Sequence, residues 1–239
     1  TERPDTTAAS ILEGSIVLLV DTSPSAMILP TSVFDIIEDA DDYYFPPVTG
    51  TYLRLSRIAI NILAVLLTPT FLLLFMHPEW IPESLRFIEI TDPINIPIFM
   101  QFLILEFAID GLRLASLNTP SMFSTPLSVV AGIVLGDYTV SSGWFNSEIM
   151  LYMAFVAVAN YTQVSFELGY ALKFMRLILI CLTAAFGVYG YAAGILITII
   201  CIVCNKTISG KSYIYPLLPF NYRQFMRRFC RVSLPRSER

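Results

Sequence analysis

The stretch INIPIFMQFLILEFAIDGLRLASL, residues 94–117, decides how the rest of the chain is read. It is about as long as the roughly 20 apolar residues that cross a bilayer as a helix. Its second half nevertheless carries Glu106, Asp110 and Arg113. At 100° per residue these three share one face, with Glu106 and Asp110 a turn apart and Arg113 completing the next turn. Isolated charges at membrane depth cost roughly 2.5–3.5 kcal/mol each on insertion scales, so that face is expected to turn toward other helices, a water-filled cavity or a pore.

The whole chain has the composition such a stretch requires. Of its residues 55% are hydrophobic and 14% charged, with a mean hydropathy of +0.66, whereas soluble domains carry about 25% charged residues. This is the composition of an integral membrane protein. A net charge of −4, with no basic stripe before the last twenty or so residues, argues against nucleic acid as a partner. The opening TERPD shows no signal-peptide pattern, and the chain reads as a fragment. Cys181, Cys201 and Cys204 lie in apolar runs and Cys230 in a basic tail, so reduced, buried thiols are expected. The pair Cys201-x-x-Cys204 has no second pair or His cluster to complete a metal site. His77 is the single histidine. No nucleophile and base stand at motif spacing and no phosphate-binding loop is present, so neither an enzyme nor a cofactor or metal is expected.

From its start the chain reads as three parts. Residues 1–50 are acidic and rich in turn signals, the end of a small α+β cytosolic domain. Asp5 starts a short helix stopped at Gly14. Residues 15–20 and 25–29 form a hairpin around Asp21-Thr22-Ser23-Pro24, and a third element follows at 31–40. The acidic run Glu38, Asp39, Asp41 and Asp42 reads as a solvated face rather than a cation site. Residues 51–206 form a polytopic helical membrane domain, and 207–239 a basic cytosolic tail. The first span is expected at 58–76, kinked by Pro69, with Arg54 and Arg57 in the headgroup layer before it. The quoted stretch is the second span, and the third is 126–142. Spans four and five begin near Glu148 and at 165–176, and the sixth is 189–204 after a tight Gly187-Val-Tyr-Gly190 connection. In the third, Ser128, Gly132, Gly136 and Thr139 lie on one side at spacings of three and four. Small residues in that pattern serve helix packing more often than a pore wall.

Basic residues orient the chain by the positive-inside rule. Arg54 and Arg57, Arg113, Lys173 and Arg176, and the tail from Lys206 fall in alternate loops, while the opposite loops offer only Arg86. About six spans with both ends cytosolic satisfy this count. A short re-entrant pair at segments four and five fits it equally. Glu167, Lys173 and Arg176 are then charges at the inner end of segment five.

The sequence resembles the GerA family of spore germination proteins, the A-subunit type of germinant receptor, and within it the stage V sporulation AF branch. The likeness runs nearly the whole chain. It is carried by Glu2-Arg3-Pro4-Asp5, Ala9-Ser10 with Leu12 and Gly14, Val20-Asp21-Thr22-Ser23-Pro24-Ser25, and Asp42-Tyr43-Tyr44. Further along it rests on Ile81-Pro82-Glu83-Ser84-Leu85, Gly132 and Gly136, Phe186-Gly187 with Gly190 and Gly194, and Tyr215-Pro216 with Pro219. Where the family often has Pro and Tyr around the acid before segment five, this chain has Val164-Ser165-Phe166-Glu167-Leu168.

The resemblance implies a multi-pass subunit of the spore inner membrane that opens a path for monovalent cations during germination. It further implies a homo-oligomeric ring of several copies, about five, closed around a central axis, embedded in membrane lipids. Other germination membrane subunits, or a small membrane partner, act with it to amplify ion release. In such a ring the small residues of segment three line a narrow lumen, with Val130 and Val134 as a dewetting gate. Glu106 and Asp110 either bias that lumen toward cations or pair with Arg113 between subunits, and pairing is the commoner use of opposite charges at helical spacing. Two other classes compete with the channel. A secondary transporter requires an internal repeat, and none stands out between 58–142 and 147–206. A non-conducting scaffold uses the same small faces for assembly alone.

Overall fold

The computed structural model describes residues 1–12, 14–39, 45–118, 129, 131–163, 165–207, 210, 212–217 and 220–229. They are mainly helical and fall into two units. One comprises residues 1–62, 162–170 and 196–239, the other residues 63–161 and 171–195.

In the first unit, helix α1 (Pro4–Leu12) opens on a proline, whose missing N–H costs nothing at a helix start, and has Asp5 in its first turn. It ends before Gly14, whose φ of +92° suits glycine. Strands β1 (Ile16–Leu18) and β2 (Met27–Leu29) pair antiparallel with Ile16 opposite Leu29, as the hairpin reading expects. Helix α2 (Val33–Ile37) starts where the Ser32 backbone N–H and hydroxyl both donate to Asp35 Oδ2 at 2.7 Å. The Val33 N–H donates to the Tyr213 carbonyl at 3.1 Å.

A helix inside the tail, at Tyr222–Phe229, is absent from the sequence reading. Tyr222, Phe225, Met226 and Phe229 have helical spacing, and Phe229 meets the ring of Phe34 edge-on at 5.3 Å. The basic composition of the tail concealed that pattern.

Helix α3 (Pro47–Met76) contains Pro69 and starts well before the expected residue 58. In the second unit its C-terminal half packs with α4 (Ile98–Asn118) and α5 (Ser147–Tyr161). Phe71, Leu72, Ile98, Phe102, Leu105, Phe145, Ile149, Met153 and Ile180 form the core. A buried polar clamp sets the register of α4 against α5. Gln101 Nε2 donates to Asn146 Oδ1 at 2.9 Å, and the Asn146 N–H returns a bond to Gln101 Oε1 at 3.0 Å.

Helix α6 (Phe166–Val203) is two arms broken at Gly187, where φ is 59° and ψ −130°, a conformation open essentially to glycine. A Cβ at Gly190 would lie 1.9 Å from the Leu182 carbonyl oxygen, and one at Gly194 would lie 2.9 Å from Leu179 Cδ2. Residue pairs that converge on 186–187 from both sides make the arms an antiparallel hairpin, which is the tight connection read at 187–190. The Thr70 and Tyr191 hydroxyls share a 2.7 Å hydrogen bond, tying the second arm to α3.

By length and composition, two helices among the described residues can cross a membrane, α3 and α6. Helix α4 has the length but carries its three charges, and α5 has 15 residues.

Candidate functional site

One face of α4 places Phe102, Leu105 and Glu106 together, and one face of the first arm of α6 places Lys173, Arg176, Ile180 and Thr183 together, by the 3.6-residue repeat. The two faces meet at their charges. Arg176, with no exposed surface, grips Glu106, itself 3% exposed. Its Nε lies 2.5 Å from Oε1 and its Nη2 3.0 Å from Oε2, the forked geometry that a guanidinium offers a carboxylate. The third donor, Nη1, reaches the Ala64 carbonyl of α3 at 2.8 Å. Arg176 therefore bonds to both other helices.

Lys173 extends the seam by donating to Asp110 and, at 3.3 Å, to the Glu106 carbonyl, with its ammonium 3.7 Å from Glu106 Oε2. Two acids face two bases, so the seam is neutral. Such a set is weak as a net source of stability, but removing one member of a buried pair costs about 3–5 kcal/mol because the other is left uncompensated. What this geometry provides is directional holding of three helices.

This arrangement bears on two sequence expectations. Lys173 and Arg176 were expected at the inner end of segment five, yet they lie two to three turns inside α6 and are buried. Beside the pairing with Arg113 between subunits that the sequence suggests, both acids have partners within the chain, on α6. The signal was present, since Glu106 and Asp110 at i,i+4 are matched by Lys173 and Arg176 at i,i+3. Glu167, the third of the inner-end charges, does stay in the first turn of α6, exposed and bonded by the Ser165 hydroxyl at 2.7 Å.

Segment three is a π-helix over Gly132–Tyr138, followed by a helical turn at Thr139–Ser141. Among the described residues, a Cβ added at Gly132 or Gly136 would meet nothing within 4 Å. The Thr139 hydroxyl donates to the Gly136 carbonyl at 3.2 Å. Ser128 and Val130 lie outside the described residues, as does the side chain of Val134.

The first unit holds a second set of charges. Arg54, 3% exposed, lies 3.3 Å from Glu38, and Asp39 is shared by Arg3 at 3.2 Å and Arg57 at 3.7 Å. Arg3 also pairs with Asp5 at 2.6 Å. Glu38 and Asp39 are therefore ion-paired rather than a solvated face, and Arg54 and Arg57 are their partners rather than free headgroup contacts. Asp41 and Asp42 lie outside the described residues. Cys181, Cys201 and Cys204 are free, as expected, but exposed rather than buried. The apolar surroundings that their sequence runs imply are those of an outward helix surface.

Residues 1–239 match the family model described as Bacillus/Clostridium GerA spore germination protein. The chain is 34% identical to Stage V sporulation protein AF of Bacillus subtilis (strain 168) over 98% of its own length and 48% of that protein's. It is 29% identical to Spore germination protein GerLA of Bacillus cereus over 97% of this chain and 48% of that one. A third relative, Spore germination protein KA of Bacillus subtilis (strain 168), is 26% identical over 92% of this chain and 41% of that protein. The chain thus spans about half the length of the curated relatives it matches. No solved structure matches it. With the match unbroken from end to end and the charged seam set in a helical, apolar second unit, the chain belongs to the GerA family of spore germination proteins.

Proposed function

We propose that this chain is a membrane subunit of a spore germination complex and assembles, as a homo-oligomeric ring, into a channel that releases monovalent cations. In this reading α3, α4, segment three, α5 and the two arms of α6 each cross the spore inner membrane, with both chain ends cytosolic. Segment three faces the ring axis through Ser128, Gly132, Gly136 and Thr139, with Val130 and Val134 narrowing the lumen. The protein works beside other germination subunits or a small membrane partner.

One observation carries the choice of segment three. Glycines are used up in packing where α6 folds on itself, since a Cβ at Gly190 or Gly194 would collide with the facing arm. At Gly132 and Gly136 the same addition meets open space. Among the described residues their smallness serves no packing contact, which supports contact with other copies or a lumen as its use. The neutral seam supports the alternative of a non-conducting scaffold, because Glu106 and Asp110 are already engaged by Arg176 and Lys173 and offer no free charge to a passing cation.

Ion flux through the full-length protein in liposomes, together with its membrane partner, separates the two. Single cysteines placed along 126–142 and treated with a water-soluble thiol reagent are expected to block flux at helically spaced positions. An intact ring with no flux and an unreactive segment three establishes the scaffold instead.

A further inference from the structure

Helical hydroxyls often donate to the carbonyl four residues back, and several in this chain do. Thr7 donates to Arg3 at 3.0 Å, Ser10 to Thr6 at 2.8 Å, Thr51 to Pro47 at 2.7 Å and Thr183 to Leu179 at 2.7 Å. Thr68 of α3 breaks the pattern. It is fully buried, like Thr183, yet its hydroxyl has no hydrogen-bond partner among the described residues.

The carbonyl it would reach is Ala64 O, which accepts from Arg176 Nη1 at 2.8 Å. An α-helical carbonyl already accepts the N–H four residues on, so the guanidinium takes the remaining lone pair. The next residue is Pro69, which supplies no N–H to the carbonyl of Val65 and makes this the point where α3 bends most readily. An unsatisfied donor, an occupied acceptor and a weak point in the helix coincide within two turns.

We propose that the Ala64 carbonyl is the contact point of a two-state latch. In the state described here Arg176, gripped by Glu106, holds that carbonyl and leaves Thr68 without a bond. In the other state Arg176 has withdrawn, the Thr68 hydroxyl takes the vacated lone pair, and α3 bends further at Pro69, since back-bonding hydroxyls themselves bend helices. The hydroxyl therefore favours the second state and the guanidinium the first. The latch concerns the packing of α3 on α6 and does not depend on ion conduction.

Thr68→Val keeps the shape of the side chain and removes the hydroxyl, and Thr68→Ser keeps the hydroxyl. Full-length protein in nanodiscs, its native cysteines replaced, carries spin labels at the exposed positions Phe75 of α3 and Tyr189 of α6 for distance measurement. Two distance populations are expected for the wild type and for T68S. T68V is expected to leave one population and to raise the unfolding midpoint by about 2–4 °C. A midpoint unchanged or lowered by T68V overturns the latch, because the hydroxyl would then be satisfied where it sits. So does a distance distribution that T68V leaves as in the wild type, or a single population in the wild type itself.

Discussion

The two sets of ion pairs use the same residue types and obey different rules. In the first unit the Arg3 side chain is 46% exposed and those of Asp39 and Arg57 17% and 19%. In the second, Arg176 is 0% and Glu106 4% exposed. Water screens the first set and lets each member relax if its partner is lost, so exposed pairs contribute about 0–1 kcal/mol. The Arg176–Glu106 pair at the centre of the second set has no such recourse. The difference teaches that a charge count along the sequence says little until each charge has a depth and a partner.

The largest expected effect breaks the seam. Glu106→Gln or Arg176→Met alone is expected to destabilise the purified protein by about 3–5 kcal/mol, read as loss of folded yield and a lower unfolding midpoint in detergent. The double variant is expected to recover much of that loss, because no buried charge is then left alone. If both single changes cost under about 1 kcal/mol, the seam behaves like a surface pair and the contrast collapses.

Arg54 sharpens the comparison from the other side. It belongs to the first unit, yet its side chain is 4% exposed and that of Glu38 13%. Arg54→Met is therefore expected to cost about 1–3 kcal/mol, between the two extremes, in denaturant unfolding followed by circular dichroism. A cost as small as that of Arg3→Met would show that burial alone does not separate the sets.

Asp5 marks the weak end. The hydrogen bond from the Arg3 guanidinium, and after it the Thr6 backbone N–H, holds its carboxyl below the ordinary carboxylate range. A carboxyl whose value is lower in the folded than in the unfolded chain stabilises above the unfolded value and loses that contribution as pH falls through the folded one. The unfolding midpoint of the wild type is thus expected to drop slightly more than that of Asp5→Asn on going from about pH 5 to about pH 3. Raising the salt concentration should shrink this difference and leave the Glu106 result in place.

Much of the helical order was legible. The hairpin at 16–29, α4, α5 and the break at Gly187 follow from apolar periodicity and turn residues, which are local signals. The starts of helices were less so, because Arg54 and Arg57 read as headgroup contacts ahead of a span at 58, whereas α3 already begins at Pro47. The partners of Glu106 were missed for a physical reason. Lys173 and Arg176 are 67 and 70 residues from Glu106, and the positive-inside count treats bases as headgroup contacts without asking what neutralises them. The missing bond at Thr68 has no sequence signal at all, since it depends on which donor reaches one carbonyl first. That no described residue packs beside Gly132 and Gly136 is equally invisible to spacing, which describes one face and never its neighbour.

The turn at Gly187 also bears on how the polypeptide is made. The residues that join the two arms of α6, Gly187-Val-Tyr-Gly190, contain no charge, and the arms already touch through Gly190 and Gly194. A hairpin of this kind can enter a bilayer from one side as a finished unit, with no polar loop to be carried across. In the orientation proposed above, its entrance at Ser165 and its exit at Cys204 stay on the side where synthesis occurs, together with the tail that follows.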